Sequence, residues 1–475
     1  NLTQYPELLP ELWTKIVACS DLPEKYTLGR TCTALQCISS IKNWDIYSHS
    51  PLVLSYNKTK SILLLMADQK KETAINNLLS HTIDLSNEPF EFYLHLSHNY
   101  QHIAEQVIQH STIDINAPTP SGLSHLYIAA QEGEIKTVQL LLKHPKIDIN
   151  YLYNKQFTPL FIAAQKGHLD IVRLFVSRSN CIVDGLDPHG STPLYIACQE
   201  GHNNVVQFLL TQKISLDKVF RTGYTPLYVA ARNGHACVIK SLLNHTNSLI
   251  EKADYEGSTP LYVAAQNGHA KAVKILCKRG AHINALFQNG YPPLYIAAQN
   301  GHTKVVKVLL NYPNTLINHV APNGSTALYV AAQNGNTEIV EHLLKREDID
   351  TTITFHGYSA LYIATQKKHH AIMQLLLNHS PNLINIYTQK QFSALHRNIS
   401  NNDLEGIKIL LATPGINRNI INNDGKTPLD LAYDNKNEPI IALLISNGAK
   451  TADNVRKDKS IEDCNDSQQE GCRIL

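Results

Sequence analysis

The sequence predicts an all-α solenoid of short helix pairs joined by β-turn fingers, with a separate small helical segment before it. Three observations carry that expectation. The stretch Thr259 to His269, TPLYVAAQNGH, has near copies starting at Thr158, Thr192, Thr225, Pro292 and Thr326, and weaker ones at Ser124, Ser359, Ser393 and Thr427. The leucines of these copies, from Leu126 to Leu429, are separated by 33 or 34 residues every time. Apolar residues fall at helical spacing twice within each period. A fixed period of this length marks a stacked array, because one unit can bury its apolar face only against its neighbour.

Each position of the unit has a mechanical reason. Thr259 is placed to cap a helix with its hydroxyl, and Pro260 suits the first helical turn, where no backbone donor is needed. Leu261, Val263, Ala264 and Ala265 predict a short inner helix that a neighbour can approach closely. Gly268 ends it, since a residue without Cβ takes the left-handed conformation cheaply. Ala272, Val273, Ile275 and Leu276 predict an outer helix. Gly280 then turns the chain into His282-Ile283-Asn284 and a finger that leads to the next unit. In motif, period and helix–turn–helix–finger order this resembles the ankyrin repeat, and the resemblance implies a module that binds other proteins.

Composition narrows the function. The 42 basic and 40 acidic residues give a net charge of +2, which argues against a nucleic-acid binder steered by a strong positive field. No run of eighteen apolar residues and no apolar signal-peptide core is present, so no membrane span is expected. Nine cysteines are scattered. Cys198 replaces a repeat alanine and Cys277 an outer-helix apolar residue, so both are expected to be buried thiols in a reducing, cytoplasmic setting.

Residues 1–41 differ from everything after them. Leu8, Leu9, Leu12, Ile16, Leu22, Leu28, Leu35 and Ile38 predict about three short helices, broken at Pro10, Asp21 and Pro23. Leu8, Pro10-Glu11-Leu12-Trp13, Ile16-Val17, Asp21-Leu22 and Thr31-Cys32-Thr33-Ala34-Leu35 resemble an F-box. Leu9 departs from that pattern where a second proline is usual, and Leu35 where tryptophan is frequent. The resemblance implies that Leu8, Pro10, Leu12, Ile16 and Val17 dock on the Skp linker of a cullin-type ubiquitin ligase. The alternative is a helical cap that only covers the end of the array.

Residues 42–120 read as a helical bridge with decayed copies of the unit. Positions 92–116 follow the template of 126–150, down to Ile113-Asp114-Ile115-Asn116 against Ile147-Asp148-Ile149-Asn150. Residues 121–448 hold ten clear units, the last made more polar by Asp430 and Asp434. Residues 449–475 lack periodicity and are expected to form a flexible tail. That tail ends in Cys472-Arg473-Ile474-Leu475, which matches a C-a-a-X signal for geranylgeranylation at Cys472, with Arg473 a departure.

Comparing the repeats with one another points to where a partner is read. Gln165, Gln199, Gln266, Gln299, Gln333 and Gln366 form one column broken only by Arg232, and read as a neutral polar floor. The fingers vary instead, so Phe157, His189, Tyr224, Tyr255, Phe287, Tyr358 and Phe392 are the candidate target-binding residues. A tyrosine column (Tyr127, Phe161, Tyr195, Tyr228, Tyr262, Tyr295, Tyr329, Tyr362) stands where the ankyrin family has histidine. It reads first as packing between successive inner helices, with the hydroxyls reaching a neighbour's backbone or glutamine; the alternative is a recognition stripe, since tyrosine is a favoured interface residue. The recurring His168, His202, His235, His269 and His302 sit a whole repeat apart, too far to share a metal. Asp424-Gly425-Lys426-Thr427 imitates a phosphate loop but has Ile420 where the loop needs glycine, and reads as a finger. No catalytic constellation, metal site or cofactor motif is found. Together these features resemble F-box–ankyrin adaptors with a C-a-a-X end, as delivered into host cytosol by intracellular bacteria. The expected function is a substrate receptor of an SCF-type ubiquitin ligase, with Skp linker, cullin and an unknown target as partners. A plain ankyrin scaffold is the alternative.

Overall fold

A computed structural model of the chain describes residues 104–105, 108, 114–119, 122–152, 157–216, 223–288 and 290–458. The head residues Leu8, Pro10, Leu12, Ile16 and Val17, and Cys472, lie outside the described residues. By its internal contacts the chain divides into two units, one up to Ala197 and one from Cys198 onward. In the first unit, inner helix His125–Glu132 pairs with outer helix Ile135–Leu141, and Pro159–Lys166 with Leu169–Val176. Inner packs on inner and outer on outer. In the second unit the inner helices Pro226–Arg232, Pro260–Gln266, Pro293–Gln299, Ala327–Gln333, Ala360–Gln366, Ala394–Ser400 and Pro428–Asp434 each pack on the next. Their outer partners form a second row, so the arrangement is solenoid-like and all-helical among the described residues.

Local chemistry explains the helix bounds. Thr158, Thr225, Thr259 and Thr326 each accept the backbone N–H three residues on, at 3.1–3.2 Å, which satisfies one of the orphan donors of a helix start. Pro292 gives no such cap. At the other end Gly268 takes φ +79°, and the N–H of His269 closes on the Ala264 carbonyl at 2.9 Å. Ala264 and Ala265 are fully buried. Their size sets how near the next helix comes, since a close-packed interior has no room for more. Cys198 fills the same column, fully buried, and burial holds its thiol far above the ordinary range. Cys277 is only partly covered, with its thiol raised to about 12 by desolvation.

Neighbouring repeats are joined at two places. The Gln266 carbonyl, at the end of its helix, accepts His302 Nε2 at 2.8 Å and Asn300 Nδ2 at 2.9 Å. The Arg232 carbonyl likewise accepts from His269 and Asn267, at 2.9 and 2.8 Å. The glutamine column therefore takes part in stacking through its backbone, and an arginine serves as well. At the finger side, Asn284 donates to the Asn314 carbonyl at 2.8 Å and accepts the Leu316 N–H at 3.0 Å. Asn150, Asn318 and Asn385 repeat this two-way clasp. Asn116, in a unit read as decayed, makes it too, with Lys146 and Asp148.

The C-terminal boundary differs from the expectation. Residues 452–458, assigned by composition to the flexible tail, are helical. Asp430 Oδ2 explains the attachment: it accepts the Thr427 N–H, boxing the last inner helix, and the Ala452 N–H, both at 2.9 Å. The charge that marks the final repeat as polar is thus a joint. Sequence position alone hides it, because the two partners are 22 residues apart.

Two outcomes follow for stability. A Cβ at Gly268 would meet the His302 ring at 2.7 Å, whereas at Gly257, equally left-handed at φ +88°, it would meet nothing within 4 Å. Gly257→Ala should cost about 1 kcal/mol from backbone strain alone, and Gly268→Ala about 2–4 kcal/mol by adding overpacking, measured by urea unfolding. Equal losses would deny the close approach. His396, in the tyrosine column and fully buried, has its pKa lowered to about 4 by desolvation. The folded imidazole refuses a proton that the unfolded chain accepts. Its contribution is therefore present above about pH 6.5 and lost progressively down to about pH 4, amounting to roughly 3 kcal/mol. His396→Gln should flatten the stability profile across that window, and an unchanged slope would remove His396 as its source.

Candidate binding surface

The fingers are locked from within. Asp187 Oδ1 accepts the N–H groups of His189 and Ser191 at 2.9 and 2.7 Å, and Asp254 Oδ1 those of Glu256 and Ser258 at 3.0 and 2.8 Å. Asn422 does the same for Asp424 and Lys426. Thr427, next in line, caps a helix. The imitation of a phosphate loop at 424–427 is thus a finger closed by its own side chain. An aspartate or asparagine that hydrogen-bonds two residues on makes a turn without help from elsewhere, so whatever a finger displays is held before a partner arrives.

The candidate target-binding residues separate into two groups. His189 is exposed on its finger. Tyr255 is 73 % exposed, although its ring lies over the backbone of Gly223 in the preceding finger. Phe157, Tyr224, Tyr358 and Phe392 instead stand immediately before a cap and lay their rings on the ring four residues on. The centroid distances are 5.0 Å to Phe161, 4.5 Å to Tyr228, 4.9 Å to Tyr362 and 5.0 Å to His396. Phe287 stacks at 4.7 Å on Tyr262 of the repeat before it. These aromatics hold the finger to the helix; of the five only Tyr358 is exposed, and the other four are half-buried.

The tyrosine column is interior. Tyr228, Tyr262, Tyr295, Tyr329 and Tyr362 are all buried. Burial pushes the Tyr262 phenol up to about 12 and raises those of Tyr329 and Tyr362. Two hydroxyls reach the serine before the next cap rather than a backbone group or glutamine: Tyr295 Oη lies 2.9 Å from Ser325 Oγ and also accepts from Asn323 at 3.0 Å, and Tyr228 Oη lies 3.5 Å from Ser258 Oγ. In these two repeats tyrosine couples an inner helix to the following finger.

A column that sequence reading passed over is exposed and apolar. Six residues before the cap position stand Leu152 and Leu186 in the first unit, and Leu286, Val320 and Tyr387 in the second. Each is between 41 % and 54 % exposed. The signal was available, because the same comparison between repeats that separates the glutamines from the fingers also lines these up. Nothing in the sequence alone distinguishes an exposed leucine here from a buried one. Among the described residues no helix is long and apolar enough to cross a membrane, and no group of three or more His, Cys, Asp or Glu could hold a metal ion.

A family model described as ankyrin repeats (three copies) matches residues 150–220, 211–287, 284–354 and 361–458. Over 106 residues, 22 % of the chain, the sequence is 30 % identical to the nuclear factor NF-kappa-B p105 subunit of Gallus gallus. The chain spans 11 % of that protein's length.

Proposed function

The chain belongs to the ankyrin-repeat family, and from that premise we propose that it is a substrate-recruiting adaptor of an SCF-type cullin–RING ubiquitin ligase. Its repeats are a protein-interaction module. The observation that carries target holding is that fingers in each unit are locked internally, presenting His189 in the first unit and Tyr255 and Leu286 in the second to solvent. Rigid display favours binding, because little conformational freedom is lost on association. The ligase half of the reading is supported by the likeness of Leu8, Pro10, Leu12, Ile16 and Val17 to an F-box. In that arrangement the head recruits the Skp linker, the fingers hold the target, and the chain does no chemistry. It raises the effective concentration of target lysines near a charged conjugating enzyme. The second reading, a plain scaffold with the head as a cap, shares the finger row but not the linker.

Co-expression with the Skp linker separates the two. The wild-type chain should co-purify with the linker, and Leu8→Ala/Pro10→Ala should abolish this while any finger-bound target is retained. Absence of the linker from the wild-type complex leaves the scaffold. Alanines at Tyr255 and Leu286 should have the reverse effect, releasing target and sparing the linker.

In a chain that ends at Leu475, Cys472 is the position this reading assigns to a geranylgeranyl group. Labelled isoprenoid should then enter the wild type and not Cys472→Ser. No incorporation in either removes the anchor without touching the adaptor reading.

A further inference from the structure

Near-neutral net charge conceals a local imbalance. Between Glu256 and Glu338 the sequence has no acidic residue and six basic ones. The repeat places these bases on the outer helices Ala270–Lys278 and Thr303–Leu310, which pack side by side with Ala236–His245. Each of these helices buries one face, as Ala272, Val273 and Leu276 do in the middle helix. The opposite face carries lysine in register. Fifteen residues after the cap position stand Lys240, Lys274 and Lys307; twelve after it stand Lys271 and Lys304, with Lys278 one turn beyond Lys274. Lys240, Lys271, Lys274, Lys278 and Lys304 are exposed, and among the described residues they make no ion pair. Arg279 turns inward instead, donating to the Leu243 carbonyl at 3.0 Å.

The other repeats supply the control. The first column holds Gln207, Glu341 and Gln374 elsewhere, and the second Asn204 and Ala371, so stacking does not require lysine at either. Where a base recurs in the first column, at Arg173 and Lys408, an acid in the second answers it: Asp170 at 3.8 Å and Glu405 at 3.7 Å. At the edge of the ridge Lys307 is met by Glu338 at 2.7 Å. Two bases elsewhere stand exposed without an answering acid, Lys136 in the second column and Lys345 in the column of Lys278, but each stands singly. Only these three consecutive helices gather five exposed lysines, a density of positive charge that an anionic partner would neutralise.

We propose that this ridge docks on the anionic headgroups of a lipid bilayer. Charge complementarity and the form of the surface both point that way. Its exposed cations are lysines alone, point charges without the planar fork of arginine. No aromatic stands exposed among them, although single-stranded nucleic acid is held on stacking side chains and duplex is read by helices inserted in a groove. Short helices packed side by side form a broad layer rather than an insertable edge. Five exposed lysines spread over such a layer match the four to eight cations that bind phosphatidylserine-rich surfaces. This inference does not depend on the ligase reading or on lipidation.

Co-sedimentation of the full chain, produced in bacteria so that Cys472 is unmodified, tests it. The chain should pellet with phosphatidylcholine vesicles containing phosphatidylserine, and not with phosphatidylcholine alone. Lys271→Gln/Lys274→Gln/Lys304→Gln should lower partitioning by on the order of a hundredfold, with thermal unfolding unchanged because these side chains are exposed. The corresponding arginine variants should retain binding. A wild-type chain that ignores anionic vesicles, or glutamine variants that bind as well as it does, would overturn the proposal. So would preference for a duplex oligonucleotide over vesicles, lost in the same variants, which would assign the ridge to nucleic acid.

Discussion

The rest of the structure depends on one backbone carbonyl per repeat. A helix leaves its last carbonyls without partners, and an inner helix of seven or eight residues has few others to spare. Here the histidine and asparagine of the following repeat both reach the same one, as His302 and Asn300 reach Gln266. That convergence requires the histidine ring to lie against the turn, and the turn has room for it only because Gly268 carries no side chain. Glycine is therefore demanded twice at this position, by its left-handed φ and by the ring.

The opposite end of each repeat is held by a second device of the same kind. An asparagine side chain offers a donor and an acceptor together, and Asn284 spends both on the backbone of the next finger. Clasps at two ends leave the middle to packing, where the alanine pair and the tyrosine ring fill the space. Because each link uses backbone on one side, stacking does not dictate the identity of the side chains that face outward. The outer-helix columns show this freedom, holding glutamine, glutamate or alanine in one repeat and lysine in another.

The unit around Ala394–Ser400 shows what happens when the rule is broken. His396 replaces tyrosine, Ile399 replaces the second alanine, and Asp403 stands where the linking histidine belongs. Asp403 caps its own helix through the Gly406 N–H at 3.1 Å and hydrogen-bonds His370 Nε2 at 2.9 Å. A link between two side chains thus substitutes for one from side chain to backbone. Asn401 still reaches back to the Gln366 carbonyl, at 3.3 Å, so one of the two inner-helix links survives.

Period, helix pairs, caps and terminating glycines were determined by the sequence by itself, because each is a preference of a few contiguous residues repeated in register. TPL before two alanines and a glycine states a capped short helix whatever surrounds it. Only the tertiary structure decided what the invariant columns are for. It brought His269 to the Arg232 carbonyl and Asn116 to Lys146, laid Phe287 on the Tyr262 ring of the preceding repeat, and extended the ordered chain beyond 449 through Asp430. It also turned the lysines of three helices onto one surface. Such facts depend on which residues some 30 positions apart become neighbours, and spacing along the chain carries no information about which atoms then meet.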